Sequence, residues 1–140
     1  MPTIKPNQSE KIINLIFKGQ DVVYGLKEFA GIDISKILYI NEKEPHRFYV
    51  KDLKTGSQKF VYDDRKQTGK PEEVIRQLWL YQLHTRYKYP FDRIDTEKTI
   101  HFGREIHAKA ADIIVYKRDK ITPFIIVEVK SPTEKKALNN

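Results

Sequence analysis

The sequence contains no cysteine in its 140 residues, which excludes a disulfide framework and a zinc site built on thiolates. It also has no apolar run near the roughly 20 residues that a helix needs to cross a bilayer. The N-terminus, from Met1 to Lys5, lacks the hydrophobic stretch of a secretory signal. We therefore expect a cytoplasmic protein without a membrane segment, folded as one domain around a single core.

Positive charge is in excess and evenly spread. The formal net charge is +7 and the sequence pI is about 9.5, which favours a polyanionic partner. Residues 1–70 hold 13 Lys and Arg against 9 Asp and Glu, and residues 71–140 hold 13 against 10. Since no basic tail carries the excess, we expect a folded face to contact nucleic acid through its phosphates, without readout of the bases.

The first half of the chain alternates short helical and strand-like patterns. Ser9 is predicted to be the N-cap of a helix over residues 10–18, and a second helix is predicted over residues 21–30. Strands are predicted over residues 37–40, 47–52 and 58–62. The last two strands are joined by a glycine-containing hairpin turn. Residues 1–70 are thus expected to form an N-terminal extension of short helices and a β-hairpin.

The second half begins with the clearest helical pattern, over residues 71–87, where Pro71 suits the first helical position. Strand patterns follow over residues 97–102, 111–116 and 125–130. The order of one helix and three strands predicts an α/β (α+β) fold in which a mixed sheet is flanked by helices.

The last two strands carry the residues closest to a chemical function. A turn centred near Lys120 would place Asp112 directly opposite Glu128, with Cβ atoms about 4.5–5.5 Å apart. Glu128 and Lys130 share one face because strand side chains alternate with a period of two. Two carboxylates could hold Mg²⁺ and Lys130 could orient a water or stabilise phosphate charge. Charges that guard a sheet edge against aggregation explain the same spacing, so both interpretations stay open here.

Several motifs together resemble the N-terminal domain of type I restriction enzyme R subunits, which belongs to the PD-(D/E)xK nuclease superfamily. The resemblance covers about residues 71–132. The motifs, in order, are Pro71-Glu72-Glu73-Val74-Ile75-Arg76-Gln77, Tyr89-Pro90, Glu97, Ala111-Asp112-Ile113-Ile114-Val115 and Glu128-Val129-Lys130.

The resemblance implies a Mg²⁺- or Mn²⁺-dependent endonuclease that hydrolyses phosphodiester bonds of double-stranded DNA. It implies a metal bound by Asp112, Glu128 and the carbonyl of Val129, with Lys130 assisting the attack of water. It also implies methylation and specificity subunits as partners. A first-helix glutamate often lies near such a metal, and Glu73 has that position, although the helix dipole explains an acid there equally well.

Three further expectations concern residues around this core. Arg104 and Lys109 flank the strand of Asp112 and could reach phosphate, or lie in a solvated turn. The family continues past Glu-x-Lys into a helix with Gln-x-x-x-Tyr, so we expect residues 71–140 to be a nuclease core truncated before that helix. The chain has no Gly-x-x-x-x-Gly-Lys-Ser/Thr loop, so ATP would be used only by motor domains absent from it.

The alternative function is a non-catalytic DNA-binding or subunit-assembly module with a nuclease-like fold.

Overall fold

The computed structural model describes residues 7–17, 29, 31–100 and 109–129. These residues form a mixed α/β structure, so the predicted α/β class is confirmed. In place of the predicted single mixed sheet, the described residues form two sheets in which every strand pair is antiparallel. They divide into two compact units, residues 7–78 and residues 79–129, with the boundary inside a helix. No helix within the described ranges is long and apolar enough to span a membrane.

Within the described residues, the first unit contains two helices, a four-stranded sheet of order β1-β2-β3-β4, and residues 71–78 of the helix that follows the sheet. Its side chains Phe17, Leu38, Ile40 and Val61 are fully buried, which places its core between α1 and the sheet. The elements are α1 Ser9–Ile16, α2 Ile34–Ile37, β1 Ile40–Glu44, β2 Arg47–Lys51, β3 Gln58–Asp63 and β4 Thr68–Gly69.

The predicted β-hairpin is confirmed as β2 and β3, which pair from Arg47↔Asp63 to Lys51↔Gln58. Gly56 in the connecting turn has a φ of 77°, a conformation that residues with a Cβ rarely adopt. The carboxylate of Asp52 accepts the backbone N–H of Thr55 at 2.8 Å and closes the turn. Local turn chemistry therefore explains why this part of the prediction succeeded.

The prediction that Ser9 is an N-cap is wrong, because Ser9 is already the first helical residue of α1. The side chain of Asn7 takes that role, since its Oδ1 accepts the N–H of Ser9 at 3.1 Å and that of Ile40 at 3.1 Å. Its Nδ2 donates to the carbonyls of Ser35 at 2.6 Å and Leu38 at 2.8 Å. The Asn amide has two donor hydrogens and an acceptor oxygen, so its side chain can bond to several backbone segments at once.

The predicted strand over residues 37–40 is also wrong in extent. Residues Ile34–Ile37 form one helical turn, because the Ser35 hydroxyl donates to Asp33 Oδ1 at 2.7 Å and stabilises a local turn. The strand begins only at Ile40, where pairing with Val50 starts. The helix predicted over residues 21–30 falls almost wholly outside the described residues.

The second unit, Trp79–Val129, contains a three-stranded antiparallel sheet of order β5-β6-β7, with β6 in the centre. The predicted helix is confirmed as α3, which crosses the boundary between the units and continues as a π-helix. The predicted order of a helix followed by three strands is confirmed. The elements are α3 Pro71–Tyr81, the π-helix Gln82–Arg86, a 3-10 turn Phe91–Arg93, β5 Ile94–Ile100, β6 Lys109–Tyr116 and β7 Pro123–Val127.

A buried polar network joins α3 to the β2–β3 turn within the first unit. Gln77 is fully buried, and its Nε2 donates to Asp52 Oδ1 at 2.7 Å and to Glu73 Oε2 at 3.2 Å. Its Oε1 accepts the N–H of Leu53 at 2.9 Å. Burial opposes ionisation of Asp52, but its hydrogen bonds from Gln77 and Thr55 outweigh that effect and lower its pKa.

The turn between β6 and β7 is closed by backbone and side-chain hydrogen bonds. The N–H of Lys117 donates to the carbonyl of Thr122 at 2.8 Å. Asp119 Oδ1 accepts the N–H of Ile121 at 2.8 Å and that of Thr122 at 2.8 Å, and Oδ2 accepts the Thr122 hydroxyl. The Thr122 hydroxyl and these two N–H groups lower the pKa of Asp119 from 3.8 to about 2.

This pKa predicts an acid-dependent contribution of Asp119 to stability. Because the folded pKa lies below the unfolded one, the ionised carboxylate stabilises the fold fully above about pH 4, and this contribution is lost as the pH falls through about 2. We expect Asp119→Asn to lower the urea midpoint at pH 6 and to lower it progressively less between pH 4 and pH 2. A difference in midpoint that is constant over this range would contradict the assigned hydrogen bonds.

Candidate functional site

The register between β6 and β7 brings the two predicted carboxylates together. Ile113 pairs with Val127, and Ile114 pairs with Ile126, in an antiparallel arrangement. The next positions in the same register are Asp112 and Glu128. The predicted hairpin register is therefore confirmed over residues 113–115, and continued by one residue it would set Asp112 opposite Glu128. Directly opposed side chains have Cβ atoms about 4.5–5.5 Å apart and lie on one face of the sheet.

A hydrogen bond beyond the end of β7 keeps the two chain segments in contact. The N–H of Val129 donates to Asp112 Oδ2 at 2.7 Å. The side chain of Asp112 is half-buried, whereas Glu128 is exposed. Asp112 lies between the buried residues Ala111 and Ile113 on the central strand. One carboxylate is therefore oriented by the protein and the other faces solvent beside it.

On the side of β6 that faces away from β7, the neighbour of Asp112 is a third acid, Glu97 of β5. Thr96 pairs with Ile113 and Lys98 pairs with Ala111, so Glu97 lies across the sheet from Asp112. Glu97 has a φ of 54°, which is uncommon for a residue with a Cβ inside a strand. From the sequence, Glu97 could be assigned only to the start of a strand, because no local pattern of residues shows how β5 pairs with β6.

A polar cluster that no sequence pattern indicated lies on β5 and β6 and consists of Asp95, Lys98 and Tyr116. The hydroxyl of Tyr116 donates to Asp95 Oδ2 at 3.0 Å, and Lys98 Nζ donates to the same oxygen at 3.5 Å. Tyr116 and Asp95 raise the pKa of Lys98, and burial together with Asp95 raises the pKa of Tyr116. Lys98 therefore stays charged and Tyr116 stays protonated near neutral pH. Their hydrogen bonds to Asp95 stabilise the pairing of β5 with β6, the strand that carries Asp112.

The other predicted site residues are distributed as follows. Lys130 and Arg104 lie outside the described residues, and Lys109 is the first residue of β6, with its side chain outside the description. Glu73 belongs to the first unit, where its carboxylate accepts hydrogen bonds from Arg76 at 3.2 Å and Gln77 at 3.2 Å. Its side chain thus has a structural task in the network around Gln77.

The donor set at the end of β6 and β7 is compatible with a hard divalent cation. Mg²⁺ binds one or two carboxylates and completes its octahedron with water or substrate oxygens, which Asp112 and Glu128 would allow. Among the residues that the structure describes, no group of three or more His, Cys, Asp or Glu side chains is placed to hold a metal. A cation here would therefore depend on ligands besides these side chains.

Comparison with protein families gives one match. Residues 71–139 match the family described as type I restriction enzyme R protein N terminus, and the match includes both Asp112 and Glu128. The searches of curated proteins and of solved structures returned no match for the chain. The family named from the sequence motifs is therefore confirmed, and the match supports a role in a restriction enzyme that works within a restriction-modification complex.

Proposed function

Because residues 71–139 belong to the family of type I restriction enzyme R protein N termini, we propose that the chain carries a metal-dependent DNA endonuclease domain. It would hydrolyse phosphodiester bonds of double-stranded DNA, and it would adopt a PD-(D/E)xK type of core. Sequence choice would lie with the methylation and specificity subunits of the complex. The net charge of +7 is in keeping with a DNA substrate.

The observation that carries this proposal is the opposition of Asp112 and Glu128 at one end of the β6–β7 pair. The register that pairs Ile113 with Val127, continued by one residue, would set the two carboxylates side by side, and the hydrogen bond from Val129 to Asp112 supports this arrangement. Like charges at that distance repel unless a cation or a proton lies between them. Two acids guarding a sheet edge would have no reason to face each other across neighbouring strands.

In the proposed mechanism, Asp112 and Glu128 hold one Mg²⁺ or Mn²⁺ ion. When bound, the metal would polarise the scissile phosphate and lower the pKa of a bound water. Asp112 would be an oriented ligand, because the N–H of Val129 fixes one of its oxygens. The hydrogen bond from Val129 also limits rotation of the Asp112 side chain.

Two further groups complete the proposed site. An extended residue directs its N–H and its C=O to the same side of the strand, so an extended Val129 would direct its carbonyl toward Asp112 as a further ligand. Lys130 would follow as the group that orients the attacking water, and Arg104 and Lys109 would contact phosphate. The parts given to Lys130, Arg104 and Lys109 rest on the sequence resemblance and on the charge of these residues.

Metal binding by the two carboxylates can be tested without DNA. A site with a Kd of about 1 mM would stabilise the chain by about 1.4 kcal/mol at about 10 mM Mg²⁺, which raises Tm by a few degrees. We expect this rise in the wild-type chain and its loss in Asp112→Asn and in Glu128→Gln. Differential scanning calorimetry with and without EDTA measures it, and Glu10→Gln, an exposed acid of α1, is the matched control.

An equal rise in Tm for the wild type and both site variants would contradict the proposed metal ligands. No rise at any Mg²⁺ or Mn²⁺ concentration would favour the alternative function, a DNA-binding or assembly module without catalysis. A rise that Glu10→Gln also removes would mean that Mg²⁺ acts through general charge screening.

A further inference from the structure

The central strand β6 has opposite charges at its two ends. It reaches Asp112 near its start, beside Glu128, and it ends at Tyr116, directly before the basic turn Lys117-Arg118-Asp119-Lys120. At about 3.3 Å per residue, Lys117 lies about 16 Å from Asp112 along the strand. One rigid element therefore separates a pair of acids from a group of cations by a defined length.

The turn is held in one conformation by the hydrogen bonds of Asp119 and by contacts outside the turn. Lys120 Nζ forms an ion pair with Asp92 Oδ2 at 2.8 Å, which ties the turn to the segment before β5. Arg93 Nε donates to the carbonyl of Tyr116 at 2.9 Å, just before the turn. A turn fixed in this way presents its remaining side chains without a large entropic cost on binding.

Two of the cations in the turn are uncommitted. Lys117 and Arg118 are exposed, and neither forms an ion pair with any residue within the described ranges. Lys120 is engaged by Asp92, and Arg93 by the backbone carbonyl of Tyr116. The charge of Lys117 contributes to the lowered pKa of Asp119 in the same turn, but Lys117 stays exposed to solvent. Exposed cations on an ordered turn are suited to bind an external anion, and a planar guanidinium can bind phosphate through two hydrogen bonds.

We propose that Lys117 and Arg118 bind backbone phosphates of duplex DNA about 16 Å from the phosphate at the metal that Asp112 and Glu128 would hold. The inference rests on the proposed nuclease function. With a rise of about 3.4 Å per base pair, this distance corresponds to about five base pairs when the strand follows the duplex axis. The turn thereby aligns the duplex with β6 and contributes no readout of base sequence.

Because the acids and the cations lie at opposite ends of β6, the binding of DNA does not require a bound metal. DNA without a metal is repelled by Asp112 and Glu128, so the attraction must come from cations elsewhere in the molecule. Binding through Lys117 and Arg118 therefore persists in EDTA, when cleavage cannot occur. Binding by this turn and metal binding by the two carboxylates can thus fail independently of each other.

The test measures binding of labelled duplex DNA to the full chain by fluorescence anisotropy in EDTA, over a range of salt concentrations. Each phosphate contact contributes about 0.9 to the slope of log K against log salt, so Lys117→Gln/Arg118→Gln is expected to reduce that slope by about 1.8. Lys11→Gln/Lys43→Gln removes the same charge from exposed positions in the first unit and should leave most of the slope unchanged. Lys117→Arg should retain wild-type binding, because it keeps the charge.

The duplex length provides a second measurement. With Mg²⁺ and a duplex that resists cleavage, the wild type should lose affinity when the duplex becomes too short to reach both ends of β6, because a metal at the two carboxylates would attract the second phosphate. Lys117→Gln/Arg118→Gln should lose this length dependence. Equal salt slopes for the wild type and this variant, or an equal reduction in Lys11→Gln/Lys43→Gln, would overturn the inference. Failure of the wild type to bind duplex DNA would overturn it too. The Mg²⁺ titration, which contains no DNA, still decides the proposed nuclease site separately.

Discussion

Glu128→Ala is expected to reduce Mg²⁺-dependent nicking of plasmid DNA by at least about a hundredfold. A metal that polarises a phosphate contributes several kcal/mol to transition-state stabilisation, and each 1.36 kcal/mol corresponds to about a factor of ten in rate. Glu128 is exposed and lies opposite Asp112 in the β6–β7 register, so its removal should alter the metal site and leave the core intact. The rate of conversion from supercoiled to open-circular plasmid measures the effect.

Two further variants test whether the loss of nicking in Glu128→Ala is specific to the metal site. Glu10→Ala removes an exposed acid from α1 and should nick at the wild-type rate. Asp112→Asn keeps the size of the side chain but weakens its binding to a cation, and it should match the loss in Glu128→Ala. Equal nicking by the wild type and Glu128→Ala would remove Glu128 from the mechanism, whatever its part in metal binding.

Gln77→Leu is expected to lower the free energy of unfolding by about 3–5 kcal/mol, the largest effect on stability that we predict. Gln77 is fully buried, donates to Asp52 and Glu73, and accepts the N–H of Leu53. Leucine has a similar volume but no polar atoms, so the N–H of Leu53 would be left buried without this acceptor. The two carboxylates would each lose a donor as well. Urea unfolding followed by circular dichroism measures the change.

The control for this prediction is Gln58→Leu, at an exposed position at the start of β3. Surface substitutions of this kind change stability by about 0.5 kcal/mol or less. A similar small change in Gln77→Leu would mean that the polar network is not a stabilising feature. A large loss in both variants would point instead to an effect of leucine on the unfolded chain or on solubility.

The candidate site was largely predictable because it depends on local patterns. Alternation along two β-branched runs defines which side chains share a face, and a polar turn near Lys120 defines how the runs pair. These two features predict the pairing of residues 113–115 with residues 125–127, which the β6–β7 register shows. The continuation of this pairing to Asp112 and Glu128 stays a prediction. The parts given to Val129, Lys130 and Glu73 depend on the resemblance to a family and stay predictions.

Most of the missed features depend on residues that are distant in the sequence. Asn7 forms hydrogen bonds to Ser35 and Ile40, about thirty residues away, and these bonds connect α1 to β1. The residues next to Asn7 in the sequence therefore do not reveal its role. The predicted cap at Ser9 failed for this reason.

The amino-acid sequence alone was enough to specify the mixed α/β class, the helix from Pro71, the hairpin register and the family. Periodicity, turn residues and motif order act over a few residues and survive without tertiary contacts. Only the tertiary structure decided that Glu97 lies across from Asp112, that Gln77 connects Asp52 to Glu73, and that Lys120 is engaged by Asp92 while Lys117 and Arg118 form no ion pair with the residues the structure describes. The reason is that the partners of a side chain depend on the register and packing of segments far apart in the chain, which no local pattern encodes.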